Sequence, residues 1–273
     1  MAEIELAIIR DSQDRERMKQ DSSQVRVAIS KLDGSMLNVA PVPPPGEGEI
    51  HIWEFSPLIP AFRPEEIAGM LSHDERERAA RFHFERDRQR FSVTRARTRM
   101  ILGAYLQSNP RELRFKYSSR EKPSLADVSA DVRFNVSHSG DQAVVAVASG
   151  REIGVDIEQI RSDVECEPLA ERFFSPGERK LIRELPEGRR LHAFFRLWTC
   201  KEAFLKAHGT GLSRPLSSFE VRLSEEPGKR LRIRGDAGEE SRWSLVELES
   251  SSGYPAAAAV EGMLNAMRIC RLA

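Results

Sequence analysis

Apolar residues recur along the first part of the chain with two periods, one typical of strands and the other of helices. The stretch EIHIWEF, which begins at Glu49, alternates as a half-buried strand does. Helical spacing follows in LSHDERERAARF, where Ser72 and Glu75 stand at capping-box positions. It follows again in RDRQRFSVTRARTRMILGAYLQ, which Asn109-Pro110 stops. The pattern therefore predicts one strand and then two helices.

The middle and last parts of the chain repeat this change of period. Strand patterns occur in LRFKYS, VRFNVSHS, AVVAVAS and IGVDIEQI, and Gly150-Arg151 joins the last two as in a hairpin. Helices are predicted in SPGERKLIREL, with Ser175 as N-cap, and in GRRLHAFFRLWTCKEAFLKAHG, which ends at Gly209. The remainder, in SFEVRLS, KRLRIRG, RWSLVELES and YPAAAAVEG, predicts antiparallel strands.

The order of strand, helices and strands occurs twice, which predicts an α+β fold of two similar α/β lobes. In this pseudo-dimeric arrangement each antiparallel-rich sheet packs against helices, and the lobes cover residues 49–150 and 151–273. Residues 1–48 form an N-terminal extension that ends in PVPPPGEGE, a Pro-rich spacer, with a short strand in QVRVAIS. No residue-level repeat supports a duplication, so the two-lobe prediction depends on the order of elements alone.

Composition narrows the class of protein. The 273 residues carry 42 basic and 42 acidic side chains, a balance that argues against a dedicated nucleic-acid binder. The longest apolar run, YPAAAAV, is far too short to span a membrane, and the N-terminus lacks the pattern of a secretory signal. Three widely spaced cysteines fit a reducing compartment. We expect a cytoplasmic protein without nucleic-acid or membrane partners.

The candidate chemistry begins in IGVDIEQI. Val155 and Ile157 alternate with Asp156 and Glu158, so a strand places both carboxylates on one face. On their own, two acids on a strand are more often a solvated face than a site.

A second set of polar residues lies on the last long helix. Trp198, Glu202 and Lys206 follow each other at intervals of four and form one stripe. Alone, the last two are an ordinary exposed pair. Three carboxylates held close together repel one another, so we expect a cation between them. A set of ligands made only of oxygens suits Mg²⁺, which often binds phosphate oxygens as well. Lys206 would then face a phosphate.

These motifs resemble those of a known family. IGVDIE, followed later by FFRLWTCKEAFLKAHGTGLS, resembles the paired signature of the 4'-phosphopantetheinyl transferases, in their larger, two-lobed branch. SREKPSL, FNVSHSG and RFFSPGER resemble further elements of the family in the same order, and the resemblance covers about residues 49–262. It implies Mg²⁺-dependent transfer of the 4'-phosphopantetheine group of coenzyme A to a serine of an apo acyl or peptidyl carrier protein. Such enzymes serve polyketide, nonribosomal peptide and fatty acid biosynthesis and release adenosine 3',5'-bisphosphate.

The resemblance also implies roles for individual residues. Asp156, Glu158 and Glu202 would bind Mg²⁺ together with the pyrophosphate of coenzyme A. Lys206 would contact that pyrophosphate. The chemistry of the transfer makes Glu202, or a metal-bound water that it positions, the candidate for taking the serine proton, and Lys206 could stabilise or protonate the leaving phosphate. The nucleotide half of coenzyme A would be held by Arg78, Lys122, Pro123, Ser137 and His138. Glu75 stands where some members of the family have a basic residue, which is a departure from the pattern. The expected molecule is a monomer that encloses one coenzyme A between its lobes.

Two alternatives stay open at this point. One is another Mg²⁺-dependent phosphoryl-transfer or phosphodiester-cleaving enzyme that uses the same three acids. The other is an inactive scaffold that binds coenzyme A or a carrier protein, although binding alone would not need both Glu202 and Lys206. Ser137-His138 lacks the G-x-S-x-G elbow of a hydrolase, and Cys200 has no evident partner histidine.

Overall fold

A computed structural model of the chain describes residues 24–32, 41–58, 63–118, 122–126, 131–209, 214–224, 230–234 and 238–272. Most of the N-terminal extension therefore lies outside the described residues. The strands are β1 (Arg26–Leu32), β2 (Glu49–Phe55), β3 (Phe115–Tyr117), β4 (Pro123–Leu125), β5 (Val132–Ser139), β6 (Gln142–Ser149), β7 (Ile153–Ile157), β8 (Glu220–Arg222), β9 (Arg230–Arg234), β10 (Trp243–Glu247), β11 (Ala256–Glu261) and β12 (Ala266–Leu272). The helices are α1 (Pro64–Met70), α2 (His73–Ala80), α3 (Glu85–Leu106), α4 (Cys166–Phe173), α5 (Pro176–Glu184), α6 (Glu187–His208) and α7 (Glu239–Arg242).

The expected mixture of helices and antiparallel-rich sheets is confirmed. The first sheet has the order β1-β12-β2-β6-β5, in which β12 pairs in parallel with β1 and β2. The second sheet has the order β7-β11-β10-β9-β8 and is antiparallel throughout. Strands β3 and β4 form a separate two-stranded ribbon.

The C-terminal strand β12 lies inside the first sheet, between β1 and β2. The first sheet therefore contains residues from both 49–150 and 151–273, the ranges that the sequence predicted as separate lobes. Met267 and Ile269 of β12 pack into the apolar core that both sheets share. This burial favours the return of β12 to the first sheet. The strand expected in QVRVAIS is present as β1, at the edge of this sheet.

The hairpin predicted at Gly150-Arg151 is wrong. Strand β6 pairs with β2 and β5, whereas β7 pairs with β11 in the other sheet. Gly150 has φ 64° and turns the chain from one sheet to the other. The Arg151 guanidinium donates to carbonyl oxygens of Glu49, Glu261 and Met263, and so fixes this crossover.

The two sheets pack face to face, and one long helix covers the outer face of each. The layer between the sheets contains Val144 and Ala146 from β6 and Val155 and Ile157 from β7. Helix α3 packs on the outside of the first sheet, and α6 packs on the outside of the second. Among the described residues, none of the helices is long and apolar enough to cross a membrane.

The helix ends have the capping residues that the sequence predicted. Ser72 with Glu75 and Ser175 with Glu178 form capping boxes at the starts of α2 and α5. Gly209 ends α6 in the left-handed region at φ 77°. Helices α1 and α4 were not expected from the sequence.

A buried histidine between β2 and α3 makes the fold sensitive to acid. The Tyr105 hydroxyl accepts a hydrogen bond from Trp53 Nε1 (2.9 Å), so its own hydrogen can be donated to His51 Nδ1 (2.6 Å). Burial lowers the pKa of His51 from 6.5 to about 4, although Glu49 acts in the opposite direction. The folded state thus holds this imidazole neutral where the unfolded chain would protonate it.

We therefore expect the free energy of unfolding to fall as the pH drops from 6.5 towards 4, with up to about 3 kcal/mol lost through His51. In His51→Gln this part of the pH dependence should disappear when urea denaturation is compared at several pH values. His73→Gln, at an exposed position of α2, is the matched control. An identical slope in His51→Gln and the wild type would contradict the assignment.

Candidate active site

The site begins where α6 lies directly on β7. A Cβ atom on Gly154 would overlap the carbonyl oxygen of Ala203 and the amide nitrogen of Ala207, so only glycine permits this approach. Glu202 and Lys206 immediately precede these two alanines on α6. The close packing therefore brings both side chains towards the face of β7 that carries Gly154 and Asp156.

Asp156 is the centre of the hydrogen-bonded cluster. Its Oδ1 atom accepts hydrogen bonds from Lys206 Nζ (2.6 Å) and Ser137 Oγ (2.9 Å), and Lys206 also donates to Ser137 Oγ (3.0 Å). The Asp156 side chain is only 5% exposed. Its Oδ2 atom is buried and has no hydrogen-bond partner within the described part of the chain. An unsatisfied buried carboxylate oxygen is costly, which indicates a place for a further donor or a cation.

Burial and the charge of Asp156 both affect the pKa values of Glu158 and Glu202. Burial raises the pKa of Glu158, and Asp156 adds to this, whereas the hydrogen bond from Ser139 Oγ (2.7 Å) lowers it. Burial also raises the pKa of Glu202, followed by the charge of Asp156, and Lys206 acts against them. The charge of Asp156 thus acts on both glutamates. Over the described ranges, however, no group of three or more His, Cys, Asp or Glu side chains is arranged to hold a metal ion.

Strand β5 supplies a row of polar side chains that joins the two sheets beside this cluster. Asn135 Oδ1 accepts a hydrogen bond from the backbone nitrogen of Val155 (3.0 Å), and Ser139 Oγ accepts one from that of Gln159 (3.0 Å). With Ser137 between them, these residues lie on one face of β5. The sequence reasoning missed Asn135 and Ser139, although each lies two positions from Ser137 within FNVSHSG, which was the available signal.

Desolvation and three cations act on the charge of His138. Its pKa is lowered by desolvation first, and then by the charges of Lys206, Arg90 and Arg95. Arg90 pairs with Asp141 (2.6 Å) in the turn that follows β5. Both arginines come from α3, and the sequence reasoning did not single them out. Cations of α3 and α6 thus act on this histidine, although each of them also pairs with a carboxylate: Arg90 with Asp141, Arg95 with Glu75 and Lys206 with Asp156.

The other residues expected to bind the nucleotide have different environments. Arg78 lies on α2 with its guanidinium over the Phe91 ring (5.6 Å). Pro123 begins β4, and the Lys122 ammonium donates to the carbonyl oxygen of Lys206 (2.8 Å). The structure thus brings Ser137 and Lys122 into direct contact with Lys206, and places Arg78 on the α2–α3 pair.

Glu75, the departure from the family pattern, has a structural role. Its carboxylate is buried, accepts from the backbone nitrogen of Ser72 (2.9 Å) and pairs with Arg99 (2.7 Å) and Arg95 (3.3 Å). It therefore caps α2 and ties it to α3.

Comparison with known families gives two matches that together cover most of the chain. Residues 61–150 match the model described as "4'-phosphopantetheinyl transferase, N-terminal", and residues 152–259 match "4'-phosphopantetheinyl transferase superfamily". The 4'-phosphopantetheinyl transferase HetI of Nostoc sp. is 41% identical over 216 residues, which are 78% of this chain and 88% of that protein. The 4'-phosphopantetheinyl transferase Sfp of Bacillus subtilis is 33% identical over 59% of this chain and 70% of its own length.

Among solved structures, the chain is similar to a holo-(acyl-carrier-protein) synthase from Bacillus anthracis, crystallised in complex with CoA (3',5'-ADP). The match has 25% identity and a TM-score of 0.35, and it covers 41% of this chain and 96% of that one.

The contact between α6 and β7 yields a direct test. Gly154→Ala should lower the free energy of unfolding by about 2 kcal/mol or more, because the added methyl group meets backbone atoms on both sides. Denaturant unfolding followed by circular dichroism measures this. Gly188→Ala, near the start of α6, is the control. A Cβ atom there would meet nothing within 4 Å, so this substitution should leave the free energy of unfolding unchanged or slightly higher. Equal stability of both variants and the wild type would contradict the packing described for Gly154.

Proposed function

Because the chain belongs to the 4'-phosphopantetheinyl transferase superfamily, we propose that its cluster around Asp156 transfers the 4'-phosphopantetheine group of coenzyme A to a serine of apo carrier proteins. The reaction releases adenosine 3',5'-bisphosphate. The observation that carries the proposal is the convergence of Asp156, Lys206 and Ser137 from three different elements, next to the carboxylates of Glu158 and Glu202.

The carboxylate oxygens of this cluster are the type of ligand that a divalent cation such as Mg²⁺ prefers, although the described residues do not arrange them as a formed metal site. All its acidic ligands would be oxygens, and Asp156 Oδ2 is buried without a hydrogen-bond partner among the described residues. Asp156, Glu158 and Glu202 would hold the ion, which when bound supplies positive charge to the pyrophosphate oxygens. Lys206 now contacts Asp156 Oδ1 and would have to share or release that oxygen.

Each side chain then has a defined task in the transfer. The serine oxygen of the carrier bonds to the β-phosphorus of coenzyme A while the bond from that phosphorus to the bridging oxygen breaks. Glu202 would accept the serine proton, directly or through a water that it positions. Without the cation, burial first and then the charge of Asp156 raise the pKa of Glu202. The Lys206 ammonium donates to the phosphate oxygens that gain negative charge as the bisphosphate leaves.

His138, with Lys206, Arg90 and Arg95 acting on it, is the proposed contact of the 3'-phosphate of the nucleotide. Desolvation and the charges of these cations lower the pKa of His138, and a bound phosphate would raise it again and favour the charged imidazolium. Arg78 and Ser137 stay proposed contacts of the same half of coenzyme A, and Pro123 is proposed to border it.

The remaining parts of the proposal concern the molecule as a whole. We take the layer of α3 with the first sheet and the layer of α6 with the second as two similar, pseudo-dimeric lobes that enclose one coenzyme A. The partner is an apo acyl or peptidyl carrier protein, the enzyme acts as a monomer, and its location is the cytoplasm. The three cysteines are free thiols in the structure, in keeping with that location.

The activity is tested by incubating the protein with coenzyme A, Mg²⁺ and each of several apo carrier proteins, followed by mass spectrometry of the carrier. We expect a gain of one phosphopantetheine group on at least one carrier, and loss of this gain when EDTA replaces Mg²⁺. No gain on any carrier, with coenzyme A still bound in calorimetry, would instead support a binding scaffold.

At residue level, Glu202→Gln and Asp156→Asn should each lower kcat about 100-fold or more, because one removes the base and the other weakens the pairing with Lys206 and the cation. Glu184→Gln, at an exposed position on α5, is the control and should behave as the wild type. Near-normal kcat in Glu202→Gln would remove this residue from the catalytic assignment.

A further inference from the structure

Lys122 connects the β3–β4 ribbon to the opposite side of the candidate site. It immediately precedes β4, and its ammonium donates to three acceptors far along the chain: the carbonyl oxygen of Lys206 (2.8 Å), a carboxylate oxygen of Glu152 (3.1 Å) and the carbonyl oxygen of Ile153 (3.3 Å). The side chain is 21% exposed. The ribbon is thus attached to the end of α6 and to the first residue of β7 by a single cation.

These contacts use the whole donor capacity of the group. An ammonium carries three N–H donors and no acceptor, and the three acceptors named above account for all of them. A phosphate of coenzyme A could be bound by Lys122 only if one of these bonds were given up. This differs from the role that the family resemblance implies, in which Lys122 lies along the nucleotide.

The carbonyl of Lys206 belongs to the last turn of α6. The final carbonyls of a helix have no partner within the helix, and a cation near them is favourable because it also interacts with the helix dipole. The backbone nitrogen of Gly209 donates a hydrogen bond to the carbonyl oxygen of Leu205. The Lys122 ammonium donates to the next carbonyl oxygen, that of Lys206. The side chain of Lys206 donates a hydrogen bond from its own ammonium to Asp156. Lys122 therefore fixes the backbone from which the Lys206 side chain reaches the cluster.

The hydrogen bond from Lys122 to the carbonyl oxygen of Ile153 fixes the backbone of β7 in the same way. Ile153 is the first residue of β7, directly before Gly154 and three positions before Asp156. One side chain thus contacts the backbone of both elements that approach each other at Gly154. The ends of helices fray, and a displacement of about 1 Å in a reacting group can cost about 100-fold in rate.

We propose that Lys122 is a positioning residue, which holds the last turn of α6 against the start of β7 so that Lys206 stays in place beside Asp156. This inference rests on the proposed function for its effect on turnover, but the clamp itself is a property of the free protein. Lys122 then acts on the rate of transfer through Lys206, and the affinity for coenzyme A depends on other residues.

The test compares Lys122→Met, which keeps the aliphatic stem and removes all donors, with Lys122→Arg, which keeps donors that can reach carbonyl oxygens. Lys116→Met is the matched control, because Lys116 is exposed on β3 of the same ribbon. For each protein, kcat comes from the carrier assay, the Kd of coenzyme A from calorimetry, and the protection of amides 205–209 from hydrogen exchange.

We expect Lys122→Met to lower kcat about tenfold or more with the Kd of coenzyme A within about threefold of the wild type, and to speed amide exchange at the end of α6. Lys122→Arg should recover most of the rate and of the protection, and Lys116→Met should match the wild type. If Lys122→Met does not fold, Lys122→Leu, which also removes all donors, provides the same comparison.

A tenfold weaker affinity for coenzyme A with unchanged kcat would overturn the proposal and return Lys122 to the nucleotide. Unchanged exchange at residues 205–209 would overturn it as well. Because hydrogen exchange needs no turnover, it tests the clamp even if the wild type transfers nothing, an outcome that would contradict the proposed function instead.

Discussion

Helix α6 lies on strand β7 at a point where no side chain separates them. Gly154 makes this possible, because any larger residue would meet the backbone of α6 at Ala203 and Ala207. The distance between a helix and a sheet is normally set by the side chains between them, so the approach at Gly154 is unusually short. It determines how far Lys206 must extend to reach Asp156, and therefore whether the carboxylates and the ammonium share one site.

The cluster also depends on the contact between the two sheets. Strand β7 is the edge of its sheet, and β5 provides side-chain acceptors in place of a backbone partner. Asn135 accepts from the backbone nitrogen of Val155 in β7, and Ser139 accepts from that of Gln159, two residues after the strand ends. Ser137, on the same face of β5, donates to Asp156. The carboxylate is thereby held from one side by β5 and from the other by α6. Its Oδ2 atom is buried and finds no hydrogen-bond partner in the described part of the chain, and a cation bound there would relieve the cost of that burial.

Local patterns in the sequence predicted the elements well and their connections less well. Capping residues such as Ser175 and the terminal Gly209 act within a few residues of themselves, so the limits of α5 and α6 could be inferred. The hairpin at Gly150 was wrong because two apolar runs joined by a glycine turn look alike whether the strands pair or enter different sheets. The placement of β12 in the first sheet depends on partners more than 200 positions away, for which one sequence holds no pattern.

The same limit applies to the candidate site. Asp156, Glu158 and Glu202 were selected as residue types on suitable faces, and the mutual shifts of the pKa values of Glu158 and Glu202 agree with their proximity. The contact of Lys122 with the Lys206 carbonyl joins residues 84 positions apart, and no spacing rule relates them.

A crystal structure of the protein with coenzyme A and Mg²⁺ would show whether the cluster around Asp156 binds both. We expect the pyrophosphate to lie within hydrogen-bonding distance of Lys206 Nζ, and the ion to contact Asp156 and at least one of Glu158 and Glu202. Density for coenzyme A elsewhere on the molecule, with the pair of Asp156 and Lys206 undisturbed, would contradict it.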